Sequence, residues 1–127
     1  MLDTDTPQAP DKVLSVAANV ARVQERILQA ARRAGRDPAS VQLIAASKTV
    51  ESARIRAAIA AGVSVMGENY LQEARQKIGQ LGQERVEWHL IGALQRNKVR
   101  YIFDLFTMVH SLDSLALAED IHKRGER

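Results

Sequence analysis

The sequence contains no cysteine, which excludes disulfide cross-links, thiolate catalysis and cysteine-ligated zinc. Aromatic residues make up only 4%, too few for a platform on which nucleic-acid bases stack. No stretch approaches the ~20 consecutive apolar residues of a membrane-spanning helix. The opening residues Met1-Leu2-Asp3-Thr4-Asp5 are acidic and lack the apolar core of a secretory signal, so a cytoplasmic location is expected. No glycine-rich phosphate loop of the P-loop or dinucleotide type occurs. The three histidines, His89, His110 and His122, show no ligand spacing, so no metal site is expected.

What remains is globular in composition, 46% hydrophobic and 26% charged over 127 residues, enough for one domain with a core of its own. The net charge of +3 and a pI near 9.6 invite a nucleic-acid reading. The arginines, however, are spread over helices whose other faces are apolar, and the charge reads as solvated helix surface.

Residues 1–10 form a Thr/Asp/Pro/Gln tail with nothing to bury, expected to be flexible. Asp11 is a plausible N-cap for a helix whose stripe runs through Val13, Val16, Val20, Val23, Ile27, Ala30 and Ala34. Gly35 ends it, and its apolar face is expected to pack on a sheet. The short apolar run at residues 41–49, bounded by turn signals, reads as a strand buried on both faces. Further strands are expected at residues 63–67, 86–92 and 106–110. Helices are expected at residues 52–61, along the stripe Leu71, Ala74, Ile78 and Leu81, and at residues 95–103 with Val99, Ile102 and Phe103 on one side. A last helix is capped by Ser111 or Asp113.

Strands alternating with helices at a pitch of a little over ~20 residues imply βαβ units and a parallel sheet. A doubly wound sheet and a (β/α)8 barrel both fit. A barrel needs eight units and typically ~250 residues, so this sequence supplies four of them.

In such folds the C-terminal strand ends carry the site. They hold Lys48 after the first strand, Glu68, Asn69 and Tyr70 after the second, His89 and Gly92 with the third, and His110 and Ser111 after the fourth. Singly, each has an ordinary explanation: a solvated lysine, an asparagine N-cap, a core histidine. Facing one opening, they make a site. A lysine amine there is a nucleophile when neutral, a form favoured by burial beside other cations, and it condenses with aldehydes.

Three motifs occur in order: Ala46-Ser47-Lys48-Thr49, Gly67-Glu68-Asn69-Tyr70-Leu71-Gln72-Glu73, and Trp88-His89-Leu90-Ile91-Gly92-Ala93-Leu94-Gln95-Arg96-Asn97-Lys98. Together they closely resemble the YggS/PROSC family of pyridoxal-phosphate homeostasis proteins, from Val13 to about Ile121. The resemblance implies a fold-type III barrel, like the N-terminal domain of alanine racemase, with residues 11–127 as its N-terminal half and the cofactor pyridoxal 5'-phosphate in its mouth. It implies that Lys48 holds the cofactor as a Schiff base, that Asn69 lies beside the ring, and that His89 and the Ile91-Gly92 turn line the floor or wall. Gln95, Asn97 and Lys98 are given the structural task of ordering the loop and helix start. The phosphate cup and the arginine facing the pyridine nitrogen belong to the later half of such a barrel. The family implies a role in vitamin B6 homeostasis without catalysis, and a monomer at full length. The open sheet edges of a half-barrel favour self-association.

Two other readings compete. A racemase or related enzyme of the same fold needs a second acid/base opposite the lysine, and no residue declares itself for that task. A basic RNA-binding module would use Arg96, Lys98 and Arg100 and show salt-dependent binding.

Overall fold

The computed structural model describes residues 9–126. Of the tail expected over residues 1–10, residues 1–8 lie outside the described residues, and Ala9 and Pro10 already belong to helix α1 (Ala9–Arg33). A proline in a first helical turn removes an N–H that no helix bond uses. The helix therefore starts ahead of Asp11, and the expected N-cap falls inside it.

Four strands follow: β1 (Ala45–Ala46), β2 (Val65–Glu68), β3 (Glu87–Leu90) and β4 (Met108–Val109). They form one parallel sheet in the order β1-β2-β3-β4, with no reversal. Helix α2 (Ser52–Ala60) follows β1, α3 (Leu71–Leu81) follows β2, a 3-10 helix (Arg96–Tyr101) follows β3, and α4 (Leu115–Gly125) follows β4. The α/β alternation and parallel sheet expected from the sequence are thus present. Gly35 and Gly62 follow α1 and α2 with φ of +70° and +110°, the left-handed conformation that ends a helix cheaply only at glycine.

The register sorts the sheet's two faces. Ala45, Met66 and Trp88 stand in one row, and Ala46, Gly67, His89 and Met108 in the next, on the opposite face. The hydrophobic core lies on the first face. There Met66, Trp88 and Leu90 pack with Ile55 and Ala58 of α2, Ala74 and Leu81 of α3, and Ile102 and Phe106. All are buried, Leu90 and Leu81 to 1% exposure.

Several expectations are corrected. The strand expected over residues 41–49 pairs only at Ala45 and Ala46, and Ala46 is exposed rather than buried. It is an edge strand, and the face carrying Ala46 is the one without helices, so only one of its sides is covered. Helix α1 packs chiefly on α2, not on the sheet. The sheet beneath is already covered by Ile55 and Ala58, and Val23 is left 41% exposed. The segment expected as a helix over residues 95–103 is a 3-10 helix, whose three-residue repeat places Val99 and Ile102 inward together and leaves Phe103 48% exposed. Phe106 enters the core ahead of β4. Ser114, not Ser111 or Asp113, caps α4, its Oγ accepting from the Leu117 N–H at 3.1 Å. Among the described residues, no helix is long and apolar enough to cross a membrane.

Candidate functional site

Parallel pairing continues past the strands. The Ser47 N–H donates to the Gly67 carbonyl at 3.0 Å, Ile91 N–H to Glu68 at 2.9 Å, and His110 N–H to Leu90 at 2.9 Å. The chain therefore leaves the sheet at a common level in four neighbouring strands. Asn69, Ile91 and His110 come one residue after the last paired row, and Lys48 comes two residues after Ala46, the last paired residue of β1. Three of the residues singled out from the sequence, Lys48, Asn69 and Gly92, are thereby brought to one edge. His89 lies just below, on the face opposite the core.

Lys48 sits in a tight turn closed by the Val50 N–H donating to the Ser47 carbonyl at 3.0 Å. Its side chain is exposed, and its ammonium lies 5.6 Å from the centroid of the Tyr70 ring, a modest cation–π contact at an exposed position. The burial beside cations expected for this amine is absent. Its position at the end of an edge strand leaves it open to solvent. The cation that touches the same turn, Lys77, is already paired with two carboxylates, Glu68 at 3.0 Å and Glu73 at 2.7 Å.

Asn69 is half-buried, and its backbone presses against Gly92. A Cβ on Gly92 would overlap the Asn69 carbonyl oxygen and come within 2.8 Å of its carbonyl carbon and Cα. Gly92 is required because two backbones meet there, which locks the loops after β2 and β3 together. Beside them a cleft of about 400 Å³ is lined by Asn69, Tyr70, Leu90, Leu94, Gln95 and Lys98. Gln95 precedes the 3-10 helix and accepts the Lys98 N–H at 2.9 Å through its carbonyl, the helix-starting task expected of it. Asn97 is exposed.

His89 is buried to 4% exposure and its Nδ1 stands 3.0 Å from His110 Nε2. One ring must donate and the other accept, so the pair cannot hold this contact with both rings protonated. Burial, and then the charge of His110, push His89 below the ordinary histidine value, with Glu87 opposing weakly. Of the basic residues considered for nucleic acid, Arg96 is committed to Asp120 of α4, with contacts of 2.5 and 3.3 Å.

Sequence reasoning named Glu68 at a strand end but missed the group it forms behind the turn. Glu68 is fully buried, Lys77 is 8% exposed and Ser47 is 1% exposed. Ser47 Oγ donates to Glu68 Oε2, Lys77 Nζ donates to the Ser47 carbonyl, and Glu73 Oε2 accepts the Thr49 N–H at 2.7 Å. Lys77 and Thr49 together hold the Glu73 carboxyl below its ordinary range. The signal was available: Lys77 lies within the apolar stripe of Ala74, Ile78 and Leu81, with Glu73 four residues before it.

The donor set suits a phosphorylated aldehyde cofactor in part. It offers an accessible primary amine after β1, a carboxamide after β2 and a buried histidine in β3.

No protein-family model matches the chain. It is 47% identical over 110 residues to a pyridoxal phosphate homeostasis protein of Pseudomonas aeruginosa, covering 87% of this chain and 48% of that protein. Among solved structures, a protein of Bifidobacterium adolescentis aligns with a TM-score of 0.82 at 34% identity, over 95% of this chain and 53% of its own. PipY of Synechococcus elongatus, solved with PLP bound, aligns with a TM-score of 0.66 at 44% identity, over 79% of this chain and 48% of PipY. The chain spans about half the length of the curated relatives it matches. Over most of its own length the chain is thus similar to curated proteins named for pyridoxal phosphate homeostasis.

Proposed function

We infer that the chain forms the amine-bearing half of a pyridoxal 5'-phosphate carrier, with Lys48 as the covalent anchor. The observation that carries this reading is the placement of Lys48. Its amine is accessible, its turn is hydrogen-bonded to the body of the protein, and it stands level with Asn69 at one sheet edge. The relatives named for pyridoxal phosphate homeostasis and PipY, solved with the cofactor, support it.

Pyridoxal phosphate supplies an aldehyde that condenses with a primary amine and releases water. Lys48 is the nucleophile in this scheme. Asn69 offers a carboxamide to polar ring substituents, His89 forms the floor, and Gly92 keeps the loop after β3 pressed to Asn69. The order β1-β2-β3-β4 supports four units of a (β/α)8 barrel, because a doubly wound sheet reverses strand order at its switch point. A carrier needs reversible attachment and no second acid/base, and the relatives named for pyridoxal phosphate homeostasis support a role in intracellular vitamin B6 homeostasis rather than turnover.

The test is to add pyridoxal phosphate to the purified chain and to Lys48→Ala, record the visible spectrum, reduce with borohydride and map the adduct by peptide mass. A band in the parent that is lost in the variant, with the label on Lys48, is expected. Label scattered over many lysines would refute the anchor.

A further inference from the structure

We propose that Glu73 is a positioning residue for Lys48, acting with Lys77 and Glu68 through the backbone of Ser47 and Thr49. The proposal rests on the reading of Lys48 as the covalent anchor and assigns the part of the protein that fixes where that amine stands.

Thr49 has φ of +60°. A β-branched residue in this left-handed region is strained and persists only where surrounding contacts impose it. Those contacts are visible on both sides of Lys48. On one side, Ser47 is 1% exposed and held by Glu68, the Gly67 carbonyl and Lys77. On the other, the Thr49 N–H is held by Glu73 at 2.7 Å, and its hydroxyl returns to the Lys48 carbonyl at 2.6 Å.

Lys77 joins the two sides, since its ammonium contacts Ser47, Glu68 and Glu73 together. Lys48 takes no part in these bonds through its side chain. Its backbone is clamped and its amine is free, which is the arrangement a covalent anchor needs. The base of the side chain is fixed in advance, and the ordering cost at the moment of reaction falls on the side chain alone.

Among the members of this network, Glu73 is the one to test. Its side chain is 27% exposed, so its removal leaves no large buried cavity, whereas removing Lys77 strands a buried carboxylate. Glu73→Ala takes away the acceptor for the Thr49 N–H. Glu73→Gln keeps an oxygen in the same place. Glu84→Ala, which removes an ion pair with Arg56 at 3.6 Å, controls for the loss of one acidic residue.

Two readouts are taken on the 127-residue chain. One is the rate of adduct formation at Lys48 with pyridoxal phosphate, normalised to labelling of the other lysines. The other is amide hydrogen exchange at Thr49, measured without cofactor. Glu73→Ala is expected to slow the Lys48 adduct roughly tenfold, within the range that small misplacements of a reacting group produce. It should also release Thr49 exchange while the urea midpoint stays close to the parent's. Glu73→Gln should recover most of both, and Glu84→Ala should change neither. Unaltered rate and exchange in Glu73→Ala would overturn the proposal, as would equal losses in Glu73→Ala and Glu84→Ala. Should the parent form no adduct at Lys48, the cofactor reading fails, and Thr49 exchange alone decides whether Glu73 holds the turn.

Discussion

The two faces of the sheet treat their charged residues in opposite ways. On the helix-covered face, Lys77 and Glu68 are buried against each other, with Ser47 and Glu73 completing the group. On the other face and at its edge, Lys48 is exposed and meets only an aromatic ring, while His89 meets His110. Both lysines follow the same backbone turn, one from behind and one from within. The comparison separates two uses of a lysine: a charge buried to hold a loop in place, and a charge left free by that loop to react.

The widest contrast comes from substituting the two lysines alike. Lys77→Met removes the cation from a carboxylate that is 0% exposed, and breaking a buried pair on one side costs ~3–5 kcal/mol. Against a whole-domain stability of ~5–15 kcal/mol, that should shift urea unfolding far to lower denaturant. Lys48→Met alters an exposed side chain with no hydrogen bond among those described, and should stay within ~0.5 kcal/mol of the parent. Equal shifts for the two variants would erase the distinction between the faces.

Gly92→Ala comes next in size. The added methyl has no room beside the Asn69 carbonyl, so the loops after β2 and β3 must part. Overpacking of this kind costs ~1–3 kcal/mol. Urea denaturation reads the loss, and Asn69 amide shifts in NMR spectra report whether the loops separated. An unchanged Asn69 would mean that Gly92 does not join the two sides of the site.

How much of this was legible beforehand follows from what local sequence encodes. The βα alternation was readable because the apolar runs ending at Glu68 and Leu90 are bounded by turn signals, and the stripe of Leu71, Ala74, Ile78 and Leu81 has helical period. The levels of Lys48 and Asn69 followed from their strand ends, whereas His89 lies inside β3, one row lower. Illegible were the features set by partners distant in sequence. β1 is shorter than its apolar run because it has a neighbour on one side only. Val99 and Ile102 fit an α-helix and a 3-10 helix equally until the core chooses between them, and the second leaves Phe103 exposed. The exposure of Lys48 also came from outside its motif. Its neighbour Ser47 is buried, and only the fold reveals that Lys77, 30 residues away, reaches the same turn.

The smallest expected effect distinguishes the two faces by pH. His89 is held below the ordinary histidine value of ~6.5, first by burial and then by His110. The unfolded chain therefore binds a proton at this position at a pH where the folded chain does not, and stability rises with pH across that interval. Stability should be full above ~6.5, decline as pH falls through that value, and level off once the folded pKa is passed. Glu73 lies in a separate, more acidic window: its depressed pKa gives stability that is present above the ordinary carboxylate value and lost as pH falls through the folded one. Urea midpoints followed from neutral pH downward should therefore show two separable declines. His89→Asn should flatten the first and leave the second, whereas Glu73→Gln should flatten only the second. If His89→Asn leaves the first decline in place, the histidine pair is not what the open face contributes to the pH response. That response would then have to come from the helix-covered side, and the two faces would share one electrostatic system through the turn that carries Lys48.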